Sequence, residues 1–221
     1  MTLTDRLPRS QQPPTCHVAR AEGVFSRIAP IYDLFLGRPL TSLYRNAVEQ
    51  MLSAIPTLCP TSQKPTCVTA LDVGTGTGLM AAVLAERGFI VNAIDTCENM
   101  LKAARRRRPN VAQFSCAPAH SSSMHPEAPF DLVCAAMLMH GLPRAYRRQS
   151  LIDMARAAKH AVMIVDYAPP CRLLTAAIER LEGSFYQDFL HEFPEDLSGC
   201  FADVSTFLLN RTCALYLGRF A

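Results

Sequence analysis

The sequence predicts an α/β fold built on a mostly parallel sheet, and three features predict it. Strand-like apolar runs alternate with helix-like runs through residues 67–193. The first of these strands leads through a glycine-rich turn, Leu71-Asp72-Val73-Gly74-Thr75-Gly76-Thr77-Gly78, into an apolar helical run that begins at Leu79. Acids stand at the ends of the first two predicted strands, Asp72 and Asp95.

The N-terminal residues 1–22 carry Pro, Gln and Ser and no apolar leader, so they read as a mobile tail. Residues 23–221 then form one domain, a helical cover over 23–55 and an α/β core over 66–221. The cover comprises apolar residues at helical spacing in 24–35, a break at Gly37 and Pro39, and a second helix to Ile55 with Leu40, Leu43, Ala47, Met51 and Leu52 on one face. Residues 56–65 are a loop by composition.

In the core, a strand over 67–73 precedes a helix over 79–87 that Gly88 closes. A strand over 89–94 follows, then Thr96 as N-cap of a helix over 97–108, ended by Pro109. Next come a short strand over 111–115, a Ser- and Pro-rich loop over 117–129 and a strand over 131–135. Pro143 suits the first turn of an amphipathic helix whose arginines, Arg144, Arg147 and Arg148, form an exposed basic side. A strand over 161–165 ends in Asp166-Tyr167, and one helix is expected from Arg172 to Phe193. Its aromatic residues Phe185, Tyr186, Phe189 and Phe193, with His191, either cover the sheet or line an apolar acceptor site. The C-terminal residues form a β-hairpin turning at Asn210-Arg211.

The glycine turn carries the chemistry. Glycine accepts positive φ and lets a ligand approach the backbone, and the following helix N-terminus favours anionic groups. A dinucleotide fingerprint runs G-x-G-x-x-G. Here the pattern is G-x-G-x-G, with Leu79 where the dinucleotide glycine belongs. Asp95, at the end of the second strand, suits ribose hydroxyls.

The acid before the glycines, G-x-G-x-G and the second acid resemble the class I S-adenosylmethionine (SAM) methyltransferases. The segment Phe25-Ser26-Arg27-Ile28-Ala29-Pro30-Ile31-Tyr32-Asp33 resembles the N-terminal signature of the small-molecule branch that includes the ubiquinone and menaquinone C-methyltransferases. Phe130-Asp131-Leu132-Val133 and the run to His140-Gly141-Leu142-Pro143 resemble its fourth motif. The resemblance implies a Rossmann-like, mostly parallel seven-stranded sheet with an antiparallel C-terminal strand. It implies SAM as cofactor, S-adenosylhomocysteine (SAH) as product, and a small, apolar or quinone-like acceptor. It also nominates site residues. Asp72 neutralises or indirectly holds the methionine ammonium, Gly74, Thr75, Gly76 and Gly78 bed the methionine part, and Asp95 holds the ribose. Thr96 and Met100 flank the adenine, although Met100 reads equally as core. The family's adenine-binding acid is missing after the third strand, so that contact falls to Cys116, Ala117 or His120. Ala136 and Met137 lie near the sulfonium, and Tyr32 and Asp33 fold over the pocket. His140, Tyr32 and Tyr167 are the candidates for a catalytic base, His140 reading also as a cofactor contact or a helix-entry residue.

Composition bounds the alternatives. With 49% hydrophobic and 19% charged residues the chain is globular, and no apolar run is long enough for a membrane span. A net charge of +3 does not by itself call for nucleic acid, and Arg105 to Arg108 suit a helix C-terminus. The nine cysteines are scattered with no C-x-x-C pair, which favours reduced structural thiols, a cytoplasmic protein and no metal site. The partners expected are the small-molecule acceptor and, as an oligomeric option, a second copy of the chain. The rival readings are a non-catalytic SAM-binding protein, an NAD(P) oxidoreductase and an RNA methyltransferase.

Overall fold

The computed structural model describes residues 37–60, 67–119, 129–173, 175–176, 179 and 184–220. Among the described residues seven runs become strands: β1 Thr69–Val73, β2 Ile90–Asp95, β3 Gln113–Cys116, β4 Phe130–Ala136, β5 Ala158–Tyr167, β6 Asp203–Leu208 and β7 Cys213–Arg219. They form one sheet in the order β3-β2-β1-β4-β5-β7-β6. β7 runs antiparallel to both neighbours, while β1 to β5 pair parallel. This is the expected mostly parallel sheet with an antiparallel C-terminal strand. Strand order reverses between β1 and β4, and the carboxyl ends at such a switch point are where open α/β sheets bind ligands.

Period-two alternation explains the layers. Leu132 and Cys134 of β4 join one core, with Met163 and Val165 of β5. Val133, Ala135, Val162 and Ile164 join the other. The first face is covered by α1 (37–54) through Val48 and Met51, and by α2 (Leu79–Glu86) through Met80 and Leu84. The second is covered by α4 (Arg144–Ala157) through Leu151 and Met154, and by α5 (Tyr186–Ser198) through Phe189, Phe193 and Leu197. Helix α3 (Glu98–Arg107) flanks β2 and β3. Two covered faces are why β1, β4 and most of β5 read as almost unbroken apolar runs, while the edge strands β3 and β6 do not. Gly88, at φ +91, ends α2 in a Schellman motif. The Phe89 N–H donates to Leu84 O at 3.2 Å and the Gly88 N–H to Ala85 O at 3.0 Å.

Several expectations are corrected. Arg172 to Phe193 is not one helix. Residues 173, 175–176 and 179 are helical, but Ser184 and Phe185 are not, and α5 starts at Tyr186 and continues past Pro194 to Ser198. The break is held by His140, whose carbonyl accepts from the Phe185 N–H at 3.0 Å and from the Ser184 hydroxyl at 3.2 Å. The aromatic alternative resolves towards the core. Tyr186, Phe189 and Phe193 are buried, while His191 is exposed.

Thr96 does not cap α3. The N-cap is Cys97, whose N–H donates to the Asp95 carboxylate at 2.8 Å. The hairpin turn spans 209–212 rather than two residues. Neither Asn210 nor Arg211 has the positive φ that a tight two-residue turn of that kind demands. Instead Asn210 Oδ1 accepts from the N–H groups of Thr212 and Cys213, at 2.8 and 2.9 Å. Cys67 is exposed and precedes β1, whereas Cys134 is buried within β4. The basic side of α4 is not wholly exposed, because Arg147 is buried against the acids of α5. Among the described residues no helix is long and apolar enough to cross a membrane.

Candidate functional site

The glycine loop is fastened from below and open above. Ile94 O accepts from the N–H groups of Gly74 and Thr75, at 2.9 and 3.0 Å. Asp72 is fully buried at the tip of β1. It accepts from the Thr75 hydroxyl at 2.6 Å, the Ala81 N–H at 3.1 Å and the Cys134 thiol at 3.5 Å. The side chain therefore ties β1, loop and α2 together and shows no surface to a ligand, so it acts on a ligand only through the loop it shapes. Gly76 has φ +56, and a Cβ built there meets nothing within 4 Å among the described residues. Gly78, at φ +79, is the N-cap of α2. Added to Gly74, a Cβ would lie 2.8 Å from Leu138, so the loop and the residues after β4 are in close contact.

Burial raises the Asp72 carboxyl from 3.8 to about 6, against hydrogen bonds from Thr75, Cys134 and Ala81 that lower it. The folded chain then holds this proton more tightly than the unfolded chain. The resulting stabilisation is complete below about pH 4 and is lost as pH rises through about 6. A rise of this size corresponds to ~3 kcal/mol. The melting temperature of the wild type, relative to Asp72→Asn, is expected to fall between about pH 4 and 6.5. A difference that stays flat over that range would show that burial does not govern this carboxyl.

The second wall is the tip of β2. Asp95 Oδ2 accepts from the Gly76 N–H and Oδ1 from the Cys97 N–H, both at 2.8 Å. Burial raises its carboxyl, opposed by those main-chain donors. A carboxylate has about four acceptor sites, so capacity remains for hydroxyl donors. Met100, in the first turn of α3, and Ala117 are buried, and Thr96 and Cys116 are exposed. The Ala117 N–H already donates to Asp95 O at 3.0 Å. His120, Tyr32 and Asp33 lie outside the described residues.

The third wall follows β4. Ala136 and Met137 are half-buried, and Met137 takes φ +52, a conformation that non-glycine residues hold at a cost. His140 follows on a short 3-10 turn, Met139–Gly141. Its Nδ1 lies 2.7 Å from Asp166 Oδ1, at the end of β5. Asp166, itself fully buried, also accepts from the N–H groups of Met139 at 2.9 Å, His140 at 3.3 Å and Tyr167 at 2.8 Å. On the other side His140 Nε2 lies 3.5 Å from Glu179 Oε2. The Tyr167 hydroxyl donates to Glu179 Oε1 at 2.8 Å, and its ring meets the imidazole edge-on at 4.8 Å. Burial and then the Glu179 and Asp166 carboxylates push the Tyr167 phenol upwards, so it stays a donor near neutral pH.

Asp166 and Glu179 were not singled out from the sequence. Asp166 carries a readable signal, an acid at a strand's carboxyl end. Glu179 carries none, since it falls within an apparently continuous helix.

The residues around the loop fit a sulfonium nucleoside. A bare main chain at Gly76 leaves space that a Cβ would fill, and Asp95 beside it keeps acceptor capacity. Residues 70–161 match the model of a methyltransferase domain. The chain is 28% identical over 135 residues to the biotin biosynthesis bifunctional protein BioHC of Cellvibrio japonicus (strain Ueda107), covering 61% of this chain and 24% of that protein. It thus spans about a quarter of that relative's length. Among solved structures, the DhpI–SAH complex superposes with a TM-score of 0.65 at 15% identity, covering 92% of this chain and 97% of that one. Magnesium protoporphyrin IX methyltransferase from Synechocystis PCC 6803 with bound SAM gives 0.54 at 14% identity, covering 79% and 80%. The matched stretch runs from β1 into β5, so it takes in the glycine loop, Asp95 and the tip of β4, and over these residues the chain is similar to a methyltransferase domain, on the fold that the SAM- and SAH-bound structures share.

Proposed function

We propose that the chain methylates a small acceptor with an apolar, quinone-like body, and that His140 removes the acceptor's proton. The observation that carries this reading is the His140–Asp166 contact of 2.7 Å at the adjoining tips of β4 and β5. Asp166 is fully buried and bonded to three main-chain N–H groups, so it is a rigid acceptor for Nδ1–H. That contact selects the tautomer and presents Nε2 as the basic atom.

When bound, SAM supplies a methyl group on a cationic sulfur. The residues of this chain supply orientation and a base. Gly74, Thr75, Gly76 and Gly78 bed the methionine part, Asp72 acts through the loop, and Asp95 takes the ribose. Thr96, Met100, Cys116 and Ala117 bound the adenine side, and Ala136 and Met137 the sulfonium side. His140 Nε2 takes the acceptor's proton as the acceptor's bond to carbon forms, a general-base contribution of roughly 10²–10⁴-fold. Half-buried Leu138, Leu142 and Phe185 suit an apolar acceptor body. We further read residues 23–221 as one cytoplasmic methyltransferase domain behind a tail over 1–22. In this reading the branch is that of the quinone C-methyltransferases, the substrate is not nucleic acid, and a homodimer is the oligomeric option.

The test is SAH formation from SAM with a panel of quinols and phenols, alongside calorimetric SAH titration. His140→Ala is expected to lower turnover about 100-fold or more while SAH affinity changes little. If affinity falls and turnover per bound cofactor is retained, His140 is a cofactor contact and not the base.

A further inference from the structure

We infer that Glu179 is the polar anchor of the acceptor, and that it restricts the acceptor to molecules presenting a hydrogen-bond donor, an amine or a hydroxyl, against carboxylates. The inference rests on the methyl-transfer site proposed above.

Glu179 is only 6% exposed. One carboxyl oxygen is satisfied, since Oε1 accepts from Tyr167. The other, Oε2, is buried and accepts no hydrogen bond from the described residues. Its neighbour is His140 Nε2 at 3.5 Å, close enough for an ion pair but not aligned as a hydrogen bond. Buried polar atoms in native proteins are almost always hydrogen-bonded, so an orphan oxygen on the imidazole side of this carboxyl marks a place for a donor.

The charges around it point the same way. Asp166 and Glu179 flank a single imidazole. Among the described residues neither carboxylate forms an ion pair with Lys or Arg. Two buried acids compensated by at most one imidazolium repel an incoming anion, while an ammonium or hydroxyl supplies what Oε2 lacks. The Tyr167 hydroxyl holds the Glu179 carboxyl in place, and the Tyr167 and Tyr186 rings, edge to face at 4.8 Å, stiffen that side.

Three fragments that share one ring test the idea: benzylamine, benzyl alcohol and benzoate, titrated by ligand-observed NMR into the SAH-loaded full chain. Benzylamine and benzyl alcohol are expected to bind the wild type, with benzoate about tenfold weaker or worse. Glu179→Gln is expected to weaken benzylamine by a similar factor and to narrow the gap to benzoate. Tyr167→Phe keeps the carboxylate and is expected to preserve the order. Benzoate binding the wild type as tightly as benzylamine overturns the inference without any variant. So does benzylamine affinity that Glu179→Gln leaves unchanged, or the absence of binding by all three. In each of those cases intact SAH binding leaves the cofactor assignment standing. A wild type that does not bind SAH removes both.

Discussion

Gly76→Val is expected to abolish useful cofactor binding, with SAH affinity falling about 100-fold or more, equivalent to ~2.7 kcal/mol. Two effects act together. The added side chain enters the space over the loop, where a Cβ alone meets no atom of the described residues within 4 Å. A β-branched residue also resists φ +56, at a cost on the order of 1–3 kcal/mol. Gly88→Ala separates the two. Gly88 also has positive φ, but it ends α2, away from the loop. That variant is expected to lower the melting temperature and to keep SAH affinity. Calorimetric titration and thermal denaturation of both variants make the comparison. SAH binding that survives in Gly76→Val would move the cofactor elsewhere.

Arg147→Met is expected to destabilise the fold by about 3–5 kcal/mol, a fall in melting temperature on the order of 10 °C for a chain this size. Arg147 is wholly buried. Its guanidinium donates to Asp196 at 2.8 Å and Glu192 at 2.6 Å, and lies 5.6 Å over the Phe189 ring. Asp196 is buried as well. Removing the cation leaves that carboxylate with Arg144, at 3.0 Å, as its nearest remaining partner. Replacing both members, Arg147→Met with Asp196→Leu, is expected to recover part of the loss, because the under-compensated buried carboxylate goes with its partner. The network joins α4 to α5, and the residues entering α5 bond to the His140 carbonyl, so loosening it also loosens the acceptor side. A single variant that melts within about 2 °C of the wild type would show that packing alone, without the ion pair, holds the two helices.

What was legible in the chain shares a physical character. The glycine loop, the Gly88 cap and the alternation of strands and helices in the parallel core rest on spacing over a few residues or on the periodicity of apolar residues. The acids Asp72 and Asp95 are legible because each ends a strand, although the loop, α2 and β4, not a ligand, take up the Asp72 carboxyl. The misread parts hide a contact from elsewhere. The helix over 172–193 breaks because His140 captures Ser184 and Phe185. Helical spacing of apolar residues does not register such a capture. Thr96 has the chemistry of a cap, yet the Asp95 carboxylate reaches the Cys97 N–H first.

By itself the sequence determined the α/β parallel core and the ligand-ready glycine loop, since backbone conformation at such a loop and alternation along strands are written in neighbouring residues, and SAM entered through the resemblance of those motifs. The tertiary structure alone decided the polar cluster of His140, Asp166, Tyr167 and Glu179 and the buried pair Arg147–Asp196. His140 and Asp166 lie 26 residues apart in the chain, Tyr167 and Glu179 12, and Arg147 and Asp196 49, and only the folding of helices over the strand tips removes the water that would otherwise separate them.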